Sequence, residues 1–322
     1  MPTSTDYSLT EAQKAHFLEH GYLKLSGCFS RADAESFTSE MWDRLGMSPT
    51  DKSTWTTERT NMPFHKEVLI SEFAPKAWSA MCELLGGEDR ISEDKRSWND
   101  GFIVNLGKEE YNGDDELNFR ELNGWHNDGD FFIHFLDSPE QALLVTPLFS
   151  DIEPKCGGTV INGDGIRSIA KFMYDHPEGV TPWMKSLSDP KGTAADVSYW
   201  NNLAKNPEET REENFIEATG EVGDVYLFHP LMMHTASKNL RRKIRVITNP
   251  ALSLKEPFNF DRQDKSQYSL VELMTLNVLG KPEGLKGWKI KGQRGGFVPE
   301  RIARMEEMKR LELERLQKKG HA

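Results

Sequence analysis

Three His-x-acid triplets stand out as residues that could hold a metal ion: His65-Lys66-Glu67, His126-Asn127-Asp128 and His176-Pro177-Glu178. On an extended segment residues i and i+2 point the same way, so one triplet can offer an imidazole nitrogen and a carboxylate oxygen to a single ion. A third ligand from a distant segment would complete a two-histidine, one-carboxylate face. That face suits non-haem iron, with the opposite side open to co-substrate and dioxygen. The chain has nine histidines and 51 acidic residues, and composition alone produces about one or two such triplets. Context has to choose among them.

His176-Pro177-Glu178 sits in the turn sequence Asp175-His176-Pro177-Glu178-Gly179, where proline interrupts strand pairing. His65 lies ahead of the strand-rich part of the chain. His126-Asn127-Asp128 leads into that part and lies between Gly124 and Gly129, where backbone can pass close to a ligand. The third ligand comes from His134, His176, His229 or His234. His229 precedes a proline, whereas His234 follows the apolar stretch 223–233 and precedes the polar turn Ser237-Lys238-Asn239. Any one of these histidines alone would read as a hydrogen-bonded core residue. Taken in order, the parts select His126, Asp128 and His234 as iron ligands and catalytic centre.

Arg245 narrows the chemistry further. A 2-oxo dicarboxylic acid that chelates iron through its carboxylate and keto oxygens leaves a second carboxylate in a buried cleft. A guanidinium is the planar bidentate donor for that anion. His234 and Arg245 are eleven residues apart, which predicts adjacent antiparallel strands joined by a turn, both facing one cavity. Arg241, Arg242 and Lys243, nearer the turn, are expected in solvent.

The elements that must position these groups show in the apolar patterning. A first helix opens after Thr10 and stops at Gly21, and Tyr22-Leu23-Lys24-Leu25 reads as a strand. Amphipathic helices are expected over 31–46 and around 74–85. From about residue 101 short apolar runs alternate with turn residues: Phe102-Ile103-Val104, Ala142-Leu143-Leu144-Val145, Thr159-Val160-Ile161, 224–228 and 244–247. This spacing predicts a sandwich or barrel rather than βαβ units. The polar stretch 181–220 reads as an insertion between strands, and residues 299–319 as a charged surface helix with Ile302, Met305, Met308 and Leu316 on its apolar side. Docking on the body is the expectation for that helix, and a homodimer contact through the C-terminal region is the alternative.

Composition bounds the rest. The 322-residue chain is 37% hydrophobic and 28% charged, an ordinary balance for a globular protein. A formal charge of -11 opposes nucleic-acid binding, and no apolar run is long enough for a membrane span. Three scattered cysteines, Cys28, Cys82 and Cys156, make neither a zinc site nor a disulfide framework. The polar opening 1–6 has no secretory pattern and the last residues are not a peroxisomal address, so a cytoplasmic location is expected.

The chain resembles the phytanoyl-CoA dioxygenase-like family of Fe(II)/2-oxoglutarate-dependent oxygenases. The matching features are Phe17-x-x-x-Gly21-Tyr22, Trp125-His126-Asn127-Asp128, Gly157-Gly158-Thr159-Val160-Ile161, Gly223-Asp224-Val225-x-Leu227-Phe228, and His234 followed by Arg245. They run from about residue 10 to 250. Where the family often has Pro-Gly-Ser-His, this chain has Asn162-Gly163-Asp164-Gly165. The resemblance implies a mainly β fold with flanking α, a cupin-like double-stranded β-helix or jelly roll. It would form a single oxygenase domain over 1–322: a helical N-terminal part over about 10–100, a core over 101–250 and a C-terminal extension over 251–322. It implies Fe(II), O2 and 2-oxoglutarate, with Arg245 clamping the co-substrate and Asn105 and Thr159 as further contacts to it. The implied reaction oxidises a small organic metabolite, by hydroxylation in the first instance, with release of succinate and CO2. Asp128 speaks against halogenation, because halogenases of this kind replace the ligand carboxylate. Trp125, Asp130, Phe131 and Phe132 flank the ligands, and Trp125, Asp130, Phe131 and His65 are the substrate-contact candidates; His65 and Trp200 would lie on a lid or entry loop. The competing reading is a metal-dependent jelly-roll oxygenase or isomerase that does not use 2-oxoglutarate.

Overall fold

A computed structural model describes residues 6–189, 198–299 and 301–320. The strands are β1 (Tyr22–Leu25), β2 (Arg59–Asn61), β3 (Glu67–Leu69), β4 (Ser97–Asn99), β5 (Ile103–Asn105), β6 (Leu143–Pro147), β7 (Thr159–Asn162), β8 (Phe215–Ala218), β9 (Val225–Phe228), β10 (Met233–Ala236), β11 (Arg245–Ile247) and β12 (Ala251–Leu252). The helices are α1 (Glu11–His20), α2 (Arg31–Thr38), α3 (Met41–Leu45), α4 (Ile70–Phe73), α5 (Pro75–Leu85), α6 (Gly165–Asp175), α7 (Ser198–Lys205), α8 (Leu270–Val278) and α9 (Arg301–Gly320). More residues lie in helices than in strands, so the fold is mixed α/β with antiparallel sheets rather than mainly β.

Local signals account for the entry. Thr10 and Gln13 form a reciprocal capping box at the start of α1, and Gly21 closes it at φ 75°, a left-handed conformation that a side chain would strain. The chain then enters β1, the edge of the sheet β1-β9-β6-β12. The strands of this sheet are buried on both faces at β6 and β9, which explains their continuous apolar runs. Two three-stranded sheets, β10-β7-β8 and β11-β5-β2, complete the frame around the site, with β3-β4 as a separate ribbon. A bridge between Leu148 and Ile247 ties the four-stranded sheet to β11.

Four expectations change. The helix over 31–46 is two helices, because Thr38 and Ser39 turn their hydroxyls back onto the carbonyls of Ala34 and Ser36 and end α2. The N-terminal part is not only helical: β2 pairs with β5 inside the frame. The expected insertion over 181–220 ends earlier, since β8 is a framework strand paired with β7; residues 190–197 of that insertion lie outside the described residues. His234 and Arg245 are not on adjacent strands, because β10 pairs with β7 whereas β11 pairs with β5. Asn239 redirects the chain between them, donating from Nδ2 to the carbonyls of Asn105 (2.9 Å) and Lys243 (2.6 Å).

The C-terminal helix docks on the body, as expected, with Met305, Met308 and Leu316 of its apolar side half-buried there, while Ile302 is exposed. Its anchor is Glu312, 3% exposed, whose Oε2 lies 2.9 Å from Arg44 Nε and 2.8 Å from His65 Nε2. Arg44 also pairs with buried Asp100 at 2.7 Å. Among the described residues no helix is long and apolar enough to cross a membrane.

Candidate metal centre

His126, Asp128 and His234 converge, with one potential ligand atom from each lying within 4.8 Å of the others. Asp128 Oδ1 is 3.5 Å from His126 Nε2 and 3.6 Å from His234 Nε2. Ligands about 2.1 Å from a common centre and at right angles stand about 3 Å apart, so small side-chain rotations would close the triad on an ion. Each imidazole is already oriented for this. His126 Nδ1 lies 2.8 Å from the Gly124 carbonyl and His234 Nδ1 lies 3.1 Å from the Met232 carbonyl. A carbonyl only accepts, so each Nδ1 carries the proton and each Nε2 keeps its lone pair for a metal.

His234 sits on β10, but the backbone that presents His126 and Asp128 is not the strand the spacing suggests. His126 and His234 exchange N–H···O bonds of 3.0 and 2.9 Å in a single bridge, and the chain on either side of His126 is irregular. Gly129, at φ 113°, turns the chain immediately after Asp128, and a Cβ there would run into the Phe132 ring. Asn249 holds the other oxygen of Asp128, donating from Nδ2 to Oδ2 at 3.3 Å. Burial raises the cost of the Asp128 charge, but in the metal-free protein His234 and His126, when they carry a second proton on Nε2, outweigh it and hold this carboxyl well below the usual range; an ion would take the place of those protons.

The rival histidines are occupied elsewhere. His134 is buried, with Nε2 2.8 Å from the Gly129 carbonyl, and burial pushes its pKa down to about 4. His229 Nε2 lies 3.0 Å from Thr275 Oγ1 and its Nδ1 accepts from Leu231 N. His176 pairs with Glu178.

The triad opens into a cavity of about 630 Å³ that also holds Thr159 and Arg245. Arg245 is 2% exposed. Its Nη2 donates to Thr159 Oγ1 at 3.1 Å and its Nη1 to the Ile103 carbonyl at 3.4 Å. Its Nε is buried without a partner, and among the described residues no carboxylate forms an ion pair with it. Burial, and then the neighbouring Arg59, push its pKa down to about 9. Arg59 and Arg245 both lie opposite Asn105 in register, so the three share one row across β2-β5-β11.

Asn105 itself is committed to the fold: Nδ2 faces the Ser237 carbonyl at 3.5 Å and Oδ1 accepts from Gly107 N at 3.1 Å. It stands beside Arg245 and does not line the cavity. Trp125, Asp130 and Phe131 do line it; Trp125 is fully buried with Nε1 unpartnered, and Asp130 accepts from Nε and Nη2 of Arg301, each at 2.7 Å. Phe132 stacks on His134 instead. His65 and Trp200 are not on an entry loop. His65 is fixed by Glu312, and Trp200 is buried with Nε1 on the Pro182 carbonyl; neither lines the cavity.

Sequence reasoning missed Arg59, Asn249 and the cavity-facing Arg301, Arg304 and Met305 of α9. The i, i+3, i+4 spacing of those last three on one helix face was the available signal. No protein-family model matches the sequence, and no curated protein does. Solved structures similar to the chain include HygX from Streptomyces hygroscopicus with nickel, 2-oxoglutarate and hygromycin B bound (13% identity, 77% of this chain and 88% of that one, TM-score 0.42). EctD from S. alaskensis in its apoform (15%, 81% and 84%, 0.42) and the non-heme alpha ketoglutarate dependent epimerase SnoN from nogalamycin biosynthesis (14%, 76% and 82%, 0.39) are also similar. At these values the likeness carries no weight for the chemistry, and the assignment rests on the side chains.

Proposed function

We propose that the chain is an Fe(II)/2-oxoglutarate-dependent oxygenase of the phytanoyl-CoA dioxygenase-like kind, built on a double-stranded β-helix. The observation that carries this reading is the pairing, in one cavity, of an oriented His-Asp-His triad with a buried guanidinium that has no ion-pair partner among the described residues, Glu217 acting on it only at longer range. The donor set fits iron: two neutral imidazoles and a carboxylate on one side, with the other side open to the cavity. The unpaired Arg245 fits the distal carboxylate of the keto acid, because an uncompensated buried cation is costly and an anion relieves it. An iron site without 2-oxoglutarate leaves Arg245 unexplained.

His126, Asp128 and His234 would hold Fe(II), and Arg245 with Thr159 would hold the far end of 2-oxoglutarate. When bound, the metal and keto acid supply oxidising power from O2, with succinate and CO2 released and a small organic substrate oxidised, most simply by hydroxylation. The protein's own part is positional. The Gly124 and Met232 carbonyls fix the imidazoles, Asn249 fixes the carboxylate, and the apolar walls from Leu144, Val145 and Phe228 limit water. Anaerobic addition of Fe(II) and then 2-oxoglutarate to the apoprotein is expected to produce a charge-transfer band near ~500–530 nm. Iron-loaded protein without that band, and no succinate in air, would sink the proposal.

A further inference from the structure

The charges lining the cavity do not cancel once the proposed cofactors are counted. The charged side chains there are Arg59, Asp128, Asp130, Arg245, Arg301 and Arg304. Asp130 and Arg301 neutralise each other in a two-point pair. Fe(II), the 2-oxoglutarate dianion, Asp128 and Arg245 also sum to zero. Arg59 and Arg304 are left over, and among the described residues neither guanidinium has an ion-pair or hydrogen-bond partner. Two solvent-exposed arginines without an acidic partner line the mouth of one cavity in a protein whose formal charge is -11. Acidic residues are plentiful, yet among the described residues none forms an ion pair with either.

We propose, building on the iron and 2-oxoglutarate reading above, that the substrate is an organic acid. Its oxyanion, a carboxylate or a phosphate, is held by Arg304 with Arg59. Its apolar body lies against Met305, Phe64, Phe131 and Trp183, which line the same cavity. Arg301 keeps Asp130 from repelling the incoming anion; its own charge is stabilised by Asp130 first and by Asp128 at longer range, which places the start of α9 beside the metal ligands. The C-terminal helix is thus a specificity element: Glu312 anchors it to the body, and its first turn carries Arg304 and Met305 to the mouth of the site. A cavity of about 630 Å³ has room for such a molecule beside the keto acid.

The test uses the full chain loaded with Ni(II) and saturating 2-oxoglutarate, so that no turnover occurs and Arg245 is already occupied. Hexanoate, hexyl phosphate and 1-hexanol are titrated by calorimetry. At least one of the acids is expected to bind about tenfold or more tighter than the alcohol, since charge-assisted hydrogen bonds are involved. Whichever of the two binds tighter identifies the oxyanion. Arg304→Gln should remove most of that preference, Arg304→Glu should abolish it, and Arg304→Lys should keep part of it, with 1-hexanol unchanged throughout. Equal binding of acids and alcohol, acid affinities within twofold of wild type in Arg304→Glu, or no acid binding up to about 10 mM would each overturn the proposal. Uptake of 2-oxoglutarate is read in the same cell before the probes are added. Its failure counts against the co-substrate reading, and the acid-to-alcohol ratio, measured again on the Ni(II) form alone in wild type and Arg304→Glu, still reports on Arg304.

Discussion

Replacing Arg245 by methionine should have effects of opposite sign on the free protein and on its complex. In the free protein the guanidinium is 2% exposed, has one buried nitrogen without a partner and is pushed from 12.5 to about 9 by burial and by Arg59. At 1.36 kcal/mol per pH unit, that strain is on the order of 5 kcal/mol. A side chain of similar reach without the charge should leave the apoprotein unchanged or more stable by roughly 1–4 kcal/mol. In the complex the balance reverses. The far carboxylate of 2-oxoglutarate would be buried without its partner, at a cost of about 2–5 kcal/mol, which weakens binding roughly thirtyfold to several thousandfold. Urea unfolding of the apoprotein and the Fe(II)–2-oxoglutarate absorption titration measure the two halves. An Arg245→Met protein that loses ~2 kcal/mol or more of apo stability and binds the keto acid within about threefold of wild type refutes the reasoning. Arg245 would then be an ordinary structural residue.

Asn249→Leu removes the hydrogen bond to Asp128 Oδ2 and is expected to weaken Fe(II) binding by about 10- to 100-fold with the fold intact; an unchanged Fe(II) titration would show that Asn249 does not orient the ligand. Glu312→Ala leaves Arg44 with only Asp100 as a charge partner and should cost about 3–5 kcal/mol, seen first as faster amide exchange over 301–319; exchange equal to wild type would rule out Glu312 as the anchor. His134, held neutral by burial with a folded pKa of about 4 against about 6.5 unfolded, contributes stability that is present above pH 6.5 and lost as pH falls toward 4. His134→Gln should therefore flatten the pH dependence by about 1.4 kcal/mol per pH unit in that window, and parallel stability curves for the two proteins would exclude it.

The convergence of His126, Asp128 and His234 was legible in the sequence, and the scaffolding around it much less so. Thr10, Gly21 and the apolar runs of β6, β7, β9 and β11 carry short-range signals, so those elements appear where the spacing puts them. β2 has no such signal. Arg59-Thr60-Asn61 is polar and half exposed, and only its pairing with β5 makes it a strand. Because β2 was invisible, so was Arg59, although it shares a row with Arg245. α6 was likewise missed: it carries no N-cap side-chain bond and begins in a segment that reads as a glycine turn. The contacts of α9 were hidden for a different reason. Its docking face carries the expected Met305, Met308 and Leu316, but its most buried member is Glu312, and a glutamate in a charged helix reads as solvent-facing until its partners Arg44 and His65 are known.

His126 and Asp128, expected on a strand, do converge with His234, but from a different backbone, and the difference bears on how the candidate site is held. A full strand would fix both side chains through continuous ladder bonds. Here one bridge pins His126 to His234, so the two imidazoles are set relative to each other with little dependence on the rest of the loop. Asp128 lies beyond that bridge, after which Gly129 turns the chain, and its orientation depends on Asn249 and on the two histidines facing it. The carboxylate is therefore the adjustable member of the triad and the histidine pair the rigid one. The segment that carries it continues directly into Asp130, which Arg301 grips from the C-terminal helix. The proposed specificity element and the candidate metal site thus meet within three residues, 128–130, and a disturbance of α9 should be transmitted to Asp128 before either histidine.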